Sequence, residues 1–159
     1  MQFEINLIIF YLITEVYLKK IESSMQFEIN LGDQIEDGEV LEIYKANNWS
    51  SSMKKEQLLA ALRESHSLVT ARTSGRLVGI GNAISDGHLV VYYPHMLVHP
   101  EYQRKGIGRR MMEAMQKRYS SFHQQVLTAD SDAVEFYKTL GFVRAGKTVS
   151  MWIYSGKEH

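Results

Sequence analysis

Val98-His99-Pro100-Glu101-Tyr102-Gln103-Arg104-Lys105-Gly106-Ile107-Gly108-Arg109-Arg110 joins an apolar run to a helical stripe. Upstream, Leu89 to Val98 is apolar and β-prone. Downstream, Ile107, Met111, Met115 and Tyr119 recur every fourth residue, one buried face of a helix from about Gly106 to Tyr119. Two glycines one residue apart let the backbone turn its N–H groups inward, and the helix that follows points its positive end at the same spot. This is an anion cradle sized for a pyrophosphate. Arg104, Lys105, Arg109 and Arg110 add positive charge there, although basic residues also make ordinary solvated faces. The segment is not a P-loop, since no G-K-[ST] follows, nor a dinucleotide fingerprint, since G-x-G-x-x-G is absent. Gly79-Ile80-Gly81 has a similar spacing but lies in a predicted strand, where close backbone packing is the simpler explanation.

The flanks set this segment in a mixed α/β chain. Gln26 to Asn30 alternates apolar and polar residues, which suits a first strand. Ile35 to Ala46 carries a helical pattern that Gly38 weakens and Asn47-Asn48-Trp49 ends. Ser50 to Ser52 are placed to cap a second helix through Leu62. Leu68 to Arg72 and Leu77 to Ile84 read as strands joined by Thr73-Ser74-Gly75, and Asp86-Gly87 turns the chain into Leu89 to Val98. Pro94 lies inside that last run. Proline cannot donate to a ladder, so distortion is expected near Pro94 to Met96. Beyond the central helix, Gln124 to Thr128 reads as a strand. Asp132 to Leu140 reads as a helix, with Asp132 and Glu135 spaced like a capping box and Gly141 as a left-handed cap. Phe142 to Ala145 and Val149 to Tyr154 are expected to close the chain as strands. Strands first grouped, then alternating with helices, predict one sheet covered by helices.

Two stretches together resemble a known family. Gln103-Arg104-Lys105-Gly106-Ile107-Gly108 is similar to the Q/R-x-x-G-x-G/A acyl-CoA loop of the GCN5-related N-acetyltransferases (GNAT). Asp130-Ser131-Asp132-Ala133-Val134-Glu135-Phe136-Tyr137-Lys138-Thr139-Leu140-Gly141-Phe142 resembles the family's second signature. The resemblance spans roughly Met25 to Tyr154. It implies a GNAT acyl-CoA N-acyltransferase fold: a central, mostly antiparallel sheet with a β-bulge strand, flanked by helices. It implies acetyl-CoA as cosubstrate, without a metal, and an amine acceptor drawn from small molecules or peptides. Met96, Leu97 and Val98 fall where relatives pair with the pantetheine arm, and Gln103, Arg104, Lys105, Gly106, Ile107, Gly108 and Arg109 where they hold the pyrophosphate. Asp130 stands where many relatives carry Asn for a cofactor contact.

The resemblance makes Tyr137 the general acid that protonates the departing CoA thiolate. On its own, Tyr137 also reads as a core aromatic, because it shares a helix face with Phe136. The amine must lose a proton before it attacks, and Tyr92 stands where histone-acetylating relatives hold a carboxylate. Tyr92, Tyr93, His95 and His123 remain as proton acceptors to consider, although a lone histidine is more often structural. Trp49, Tyr92, Tyr93 and Phe122 suggest an aromatic acceptor pocket. His95 and His99 have a metal-ligand spacing only on a helix, which Pro94 and Pro100 oppose.

The bulk composition narrows the function. The chain has 159 residues, enough for one domain, and no cysteine, which excludes disulfides, Cys-based zinc sites and a Cys nucleophile. Lys plus Arg balances Asp plus Glu, 18 against 18, so no global charge draws it to nucleic acid or an anionic membrane. Met1-Gln2-Phe3-Glu4-Ile5-Asn6-Leu7 recurs as Met25-Gln26-Phe27-Glu28-Ile29-Asn30-Leu31. Residues 1–24 are therefore read as an added or duplicated start, and 25–159 as the domain. The rival reading is an extra element that covers a sheet edge or a partner. The apolar run Leu7 to Ile13 is short of the ~20 residues of a membrane span, and its flanks do not suit a leader. A cytoplasmic enzyme is expected, with a homodimer as an option because many relatives dimerise. Two other classes stay open: a non-catalytic acyl-CoA sensor, and an oligomeric structural protein built on the N-terminal extension.

Overall fold

The computed structural model describes residues 27–32 and 34–154. The reading of residues 1–24, and the start of the domain at Met25, lie outside the described residues. The elements run β1 (Glu28–Leu31), α1 (Asp37–Ala46), α2 (Lys55–Arg63), β2 (Ser67–Thr73), β3 (Arg76–Ser85), β4 (Val90–Val98), α3 (Ile107–Arg118), β5 (Gln124–Leu127) and α4 (Val134–Lys138). Short 3-10 turns cover Ser50–Met53, Pro100–Tyr102 and Ser131–Ala133. The five strands form one sheet in chain order, antiparallel from β1 to β4 and parallel between β4 and β5. The change of direction follows from α3, which carries the chain back to the end of the sheet where β4 began.

Turn chemistry fixes the hairpins. Ser74 and Gly75 both have positive φ, 47° and 82°, the geometry of the two-residue loop that matches strand twist. Asp86 accepts backbone N–H bonds from His88, Leu89 and Val90 at 2.9, 2.9 and 3.1 Å. Those bonds to the charged form lower its carboxyl from 3.8 to about 2.

The sheet separates two apolar layers. On one face Val69, Ala71, Val78, Ala83, Val91 and Tyr93 pack on Ile107, Met111, Met112, Met115 and Tyr119. The predicted stripe of α3 is thus the one that is buried. On the other face Leu68, Leu77, Ile80 and Leu97 pack on Val40, Ile43, Tyr44, Leu58, Leu59 and Leu62. The paired glycines of β3 serve this packing. A Cβ at Gly79 would lie 2.7 Å from the Met111 sulfur, and one at Gly81 would lie 3.0 Å from the His95 carbonyl oxygen.

Three local expectations are corrected. Ser50 to Ser52 form a 3-10 turn, and α2 starts later, after Lys54, with no side-chain cap. The Asp132/Glu135 capping box does not form, because α4 begins at Val134 behind Ala133, again without a side-chain cap. Phe142–Ala145 and Val149–Tyr154 are not strands; the described chain runs there without a ladder partner. Gly141 does end its helix at φ 88°, and Phe142 N–H bonds back to the Tyr137 carbonyl.

Candidate active site

The site starts from an imbalance along β4. Val90 to Tyr93 pair with Gln124 to Leu127 of β5, whereas β3 follows β4 as far as Val98. Among the described residues, β4 from Pro94 onward has one neighbour and an open second edge. Asn82 and Ile84 of β3 face His95 and Tyr92 of β4, a step of two residues against three. The extra residue belongs to β4 at Tyr93–Pro94, a bulge in the strand where proline predicted distortion. Peptide N–H groups alternate in direction along a strand, so part of the backbone from Met96 to Val98 faces the open edge.

The end of β4 is braced from α1. The Gln103 side-chain amide donates to the Val98 carbonyl at 3.0 Å and to Asn47 Oδ1 at 3.2 Å. Asn47 Nδ2 donates to the same Val98 carbonyl at 3.2 Å and to the Ile43 carbonyl at 2.9 Å. Gln103 is therefore a clamp on the loop. Asn47 completes the clamp, and sequence reasoning read it only as the end of a helix.

The loop then enters α3 through Gly106, at φ 79°, which a side chain would strain. The first N–H groups of a helix have no partner within it, so α3 presents bare donors here. At Gly108 a Cβ would meet the Phe136 ring at 3.5 Å, an ordinary contact, so α4 packs close against this first turn. Arg109 donates to Thr139 Oγ1 at 2.7 Å and lies 3.6 Å from Glu113, which ties α3 to α4. Lys105 rests its ammonium over the Tyr102 ring at 5.0 Å. Arg104 is exposed at φ 59°, and Ile107 is buried below the turn.

Tyr137 on α4 is half-buried between Phe136 and Phe142, at ring distances of 5.0 and 5.8 Å. Its hydroxyl makes no hydrogen bond to the described residues. Burial raises its pKa, and the Asp130 carboxylate raises it further, so the phenol keeps its proton.

Asp130 also lines a cavity of about 370 Å³, with Asn47, Trp49, Ser51, His95 and Tyr154 among others; Tyr137 is not among the lining residues. A larger hollow, about 470 Å³, sits away from these groups, between the β1–α1 loop and the start of β2. Chemistry favours the smaller one, which collects a carboxylate, an imidazole and an indole at the open edge of β4. His95 and Asp130 thus come together although they are far apart in the chain. Tyr92 does not line this cavity; its hydroxyl is 3.1 Å from Thr128 Oγ1. Tyr93 donates to Gln125 Oε1 at 2.7 Å, and His123 is exposed. Among the described residues no cluster of histidine and carboxylates is arranged to hold a metal, and no helix is long and apolar enough to cross a membrane.

Comparison with known proteins adds to this geometry. Residues 32–151 match the model of the acetyltransferase (GNAT) domain. An uncharacterized N-acetyltransferase, ycf52, of Gracilaria tenuistipitata var. liui is 35% identical over 69 residues, covering 42% of this chain and 38% of that relative. The chain spans about two fifths of the length of such curated relatives. Among solved structures, a GNAT family acetyltransferase of Streptococcus pneumoniae, SP0256, superposes with a TM-score of 0.70 at 26% identity, over 82% of this chain and 99% of that one. Aminoglycoside N-acetyltransferase AAC(6')-Iy, solved in complex with CoA, shares the fold at a TM-score of 0.63 and 11% identity, over 80% of this chain and 95% of its own.

Proposed function

Because the chain belongs to the GNAT acetyltransferase family, we propose that it moves an acetyl group from acetyl-CoA to a primary amine of a small molecule or peptide, by direct attack in a ternary complex. The observation that carries this reading is the open edge of β4 after Tyr93, with the bare N-terminus of α3 at one end and Tyr137 beside it. The residues fit the cosubstrate. Backbone from Met96 to Val98 offers ladder positions to the amides of the pantetheine arm, and a peptide N–H near Leu97 polarises the thioester carbonyl as charge builds on its oxygen. N–H groups of Gly106 to Arg109 receive the pyrophosphate, with Arg104 and Lys105 adding charge at the rim. Gln103 contributes by holding this loop to the end of β4.

The amine nitrogen forms its bond to the thioester carbon, and the C–S bond breaks. The thiolate takes the proton of Tyr137, whose raised pKa keeps that proton available, and the proton shed by the amine restores the phenol through solvent. Asp130 stands between the two halves of the site: it lines the acceptor cavity and acts electrostatically on Tyr137.

The test is calorimetric titration of the full chain with acetyl-CoA, followed by thiol-release assays over an amine panel. One saturable site with amine-dependent CoA release is expected. Binding without release would replace the enzyme by an acyl-CoA sensor, and no binding would end both readings. Gly108→Glu, which adds a bulky carboxylate at the first turn of α3 against Phe136 and Val98, is expected to abolish acetyl-CoA affinity.

A further inference from the structure

Tyr44 is fully buried on α1, and its hydroxyl lies 2.6 Å from His95 Nδ1 on β4. The imidazole is held edge-on by two rings, Tyr44 at 5.5 Å and Trp49 at 5.1 Å between centroids, so its orientation is fixed. Burial pushes the Tyr44 phenol up, and it stays protonated. A buried hydroxyl proton needs an acceptor, because leaving a buried donor unmade costs more than leaving a lone pair unused. Among the described residues His95 Nδ1 is the one acceptor that hydroxyl reaches. The phenol therefore donates, Nδ1 accepts, and a neutral ring must carry its own hydrogen on Nε2. Burial also lowers His95 from 6.5 to about 4, which keeps the ring neutral near pH 7.

Nε2 makes no hydrogen bond to the described residues, and His95 lines the cavity that also holds Trp49, Ser51 and Asp130. The cavity thus offers a ring N–H donor and a carboxylate beside an indole wall. An alkylamine answers only the carboxylate. An amine that carries an oxygen answers the ring donor as well.

We propose that Tyr44 is a positioning residue that locks His95 as the Nε2–H tautomer, so that His95 donates a hydrogen bond to a carbonyl oxygen borne by the acceptor amine, as in an amino-acid amide or a peptide. His95 then has a different task from the proton acceptor expected from the sequence: a neutral ring with its hydrogen on Nε2 shows the cavity no lone pair. The proposal rests on the acetyl-transfer reading only for calling the ligand an acceptor.

The test does not need turnover. Histidine nitrogens of the full chain, labelled with nitrogen-15, are observed by NMR at neutral pH. The His95 signals are expected to show a bare Nδ1 and a protonated Nε2. Tyr44→Phe, which keeps the ring and removes the hydroxyl, is expected to move both nitrogens toward averaged values as the two tautomers mix. Glycinamide at millimolar concentration is expected to shift the Nε2 signal, and propylamine, of similar size without the carbonyl, to leave it in place. A protonated Nδ1 in the unmodified chain would overturn the proposal. An unchanged tautomer in Tyr44→Phe would remove Tyr44 from it, and equal responses to the two amines would remove the carbonyl. Each result stands whether or not acetyl transfer is detected.

Discussion

β4 and the tail Phe142–Tyr154 are both rich in apolar residues and differ in their surroundings. β4 is bonded to β3 along most of its length and to β5 along its first half. Val91, Tyr93 and Leu97 are buried, and the bulge at Tyr93–Pro94 is held between two cores. The tail pairs with no strand of the described chain. Val149, Met151 and Ile153 stand exposed, Ile153 fully. Phe142, its first residue, still packs on the core beside Tyr93 and Tyr137; further along, Trp152 stacks on Tyr154 at 4.9 Å, and Tyr154 reaches the Ser50 hydroxyl at 2.9 Å at the rim of the cavity. Apolar alternation makes a segment competent to be a strand. A free edge in the right register, with a face to bury, makes it one.

This contrast can be broken or sharpened by experiment. The largest effect is expected where the two regions meet, at Tyr137 on the helix that leads into the tail. Tyr137→Phe should leave acetyl-CoA affinity near its starting value and lower kcat by roughly 10²–10⁴-fold, the usual worth of a general acid. Single-turnover rates beside calorimetric Kd would check it, and an unchanged rate would strip Tyr137 of the role. Next comes the supported strand pair. Gly81→Val drives a side chain into the His95 carbonyl and Met96, and overpacking of this kind costs about 1–3 kcal/mol. Urea midpoints at constant m-value would read it.

A smaller effect is expected in acid. His95 has a folded pKa of about 4, below the ordinary 6.5. The unfolded chain takes up the proton first, so its stabilising contribution is complete above 6.5 and is lost as pH falls toward 4. His95→Gln should flatten stability across that window. Persistence of the same slope in the variant would assign it to another group. The smallest effect belongs to the tail. Ile153→Ser should change stability by no more than about 0.5 kcal/mol, as for other exposed positions. A larger loss in thermal melts would mean that the tail is packed in solution, and the contrast with β4 would collapse.

Much of this architecture was legible locally. The α3 stripe, the Ser74-Gly75 and Asp86-Gly87 turns, the Gly141 cap and the disturbance at Pro94 each depend on residues within a turn or two of one another. Gly79 and Gly81 were also readable as packing glycines, because a strand interior gives them little other use. The failures were of two kinds. Caps at Ser50–Ser52 and Asp132/Glu135 have the right residues, but 3-10 turns displaced the helix starts, and boundaries of this sort are decided by competing local geometries of similar energy. The tail strands have the right pattern but no partner in the described chain.

The sequence by itself determined the elements that hydrophobic period and turn chemistry specify, and the loop Gln103 to Gly108 whose glycines suit a phosphate. Only the tertiary structure decided which side chains share the cavity. Tyr44 meets His95 across 51 residues, Gln103 meets Asn47 across 56, and Tyr92, a neighbour of His95 in sequence, does not line the cavity. Spacing along a chain carries no record of such meetings. They follow from sheet register, and from a bulge that shifts one strand by a residue and changes which groups face the same space.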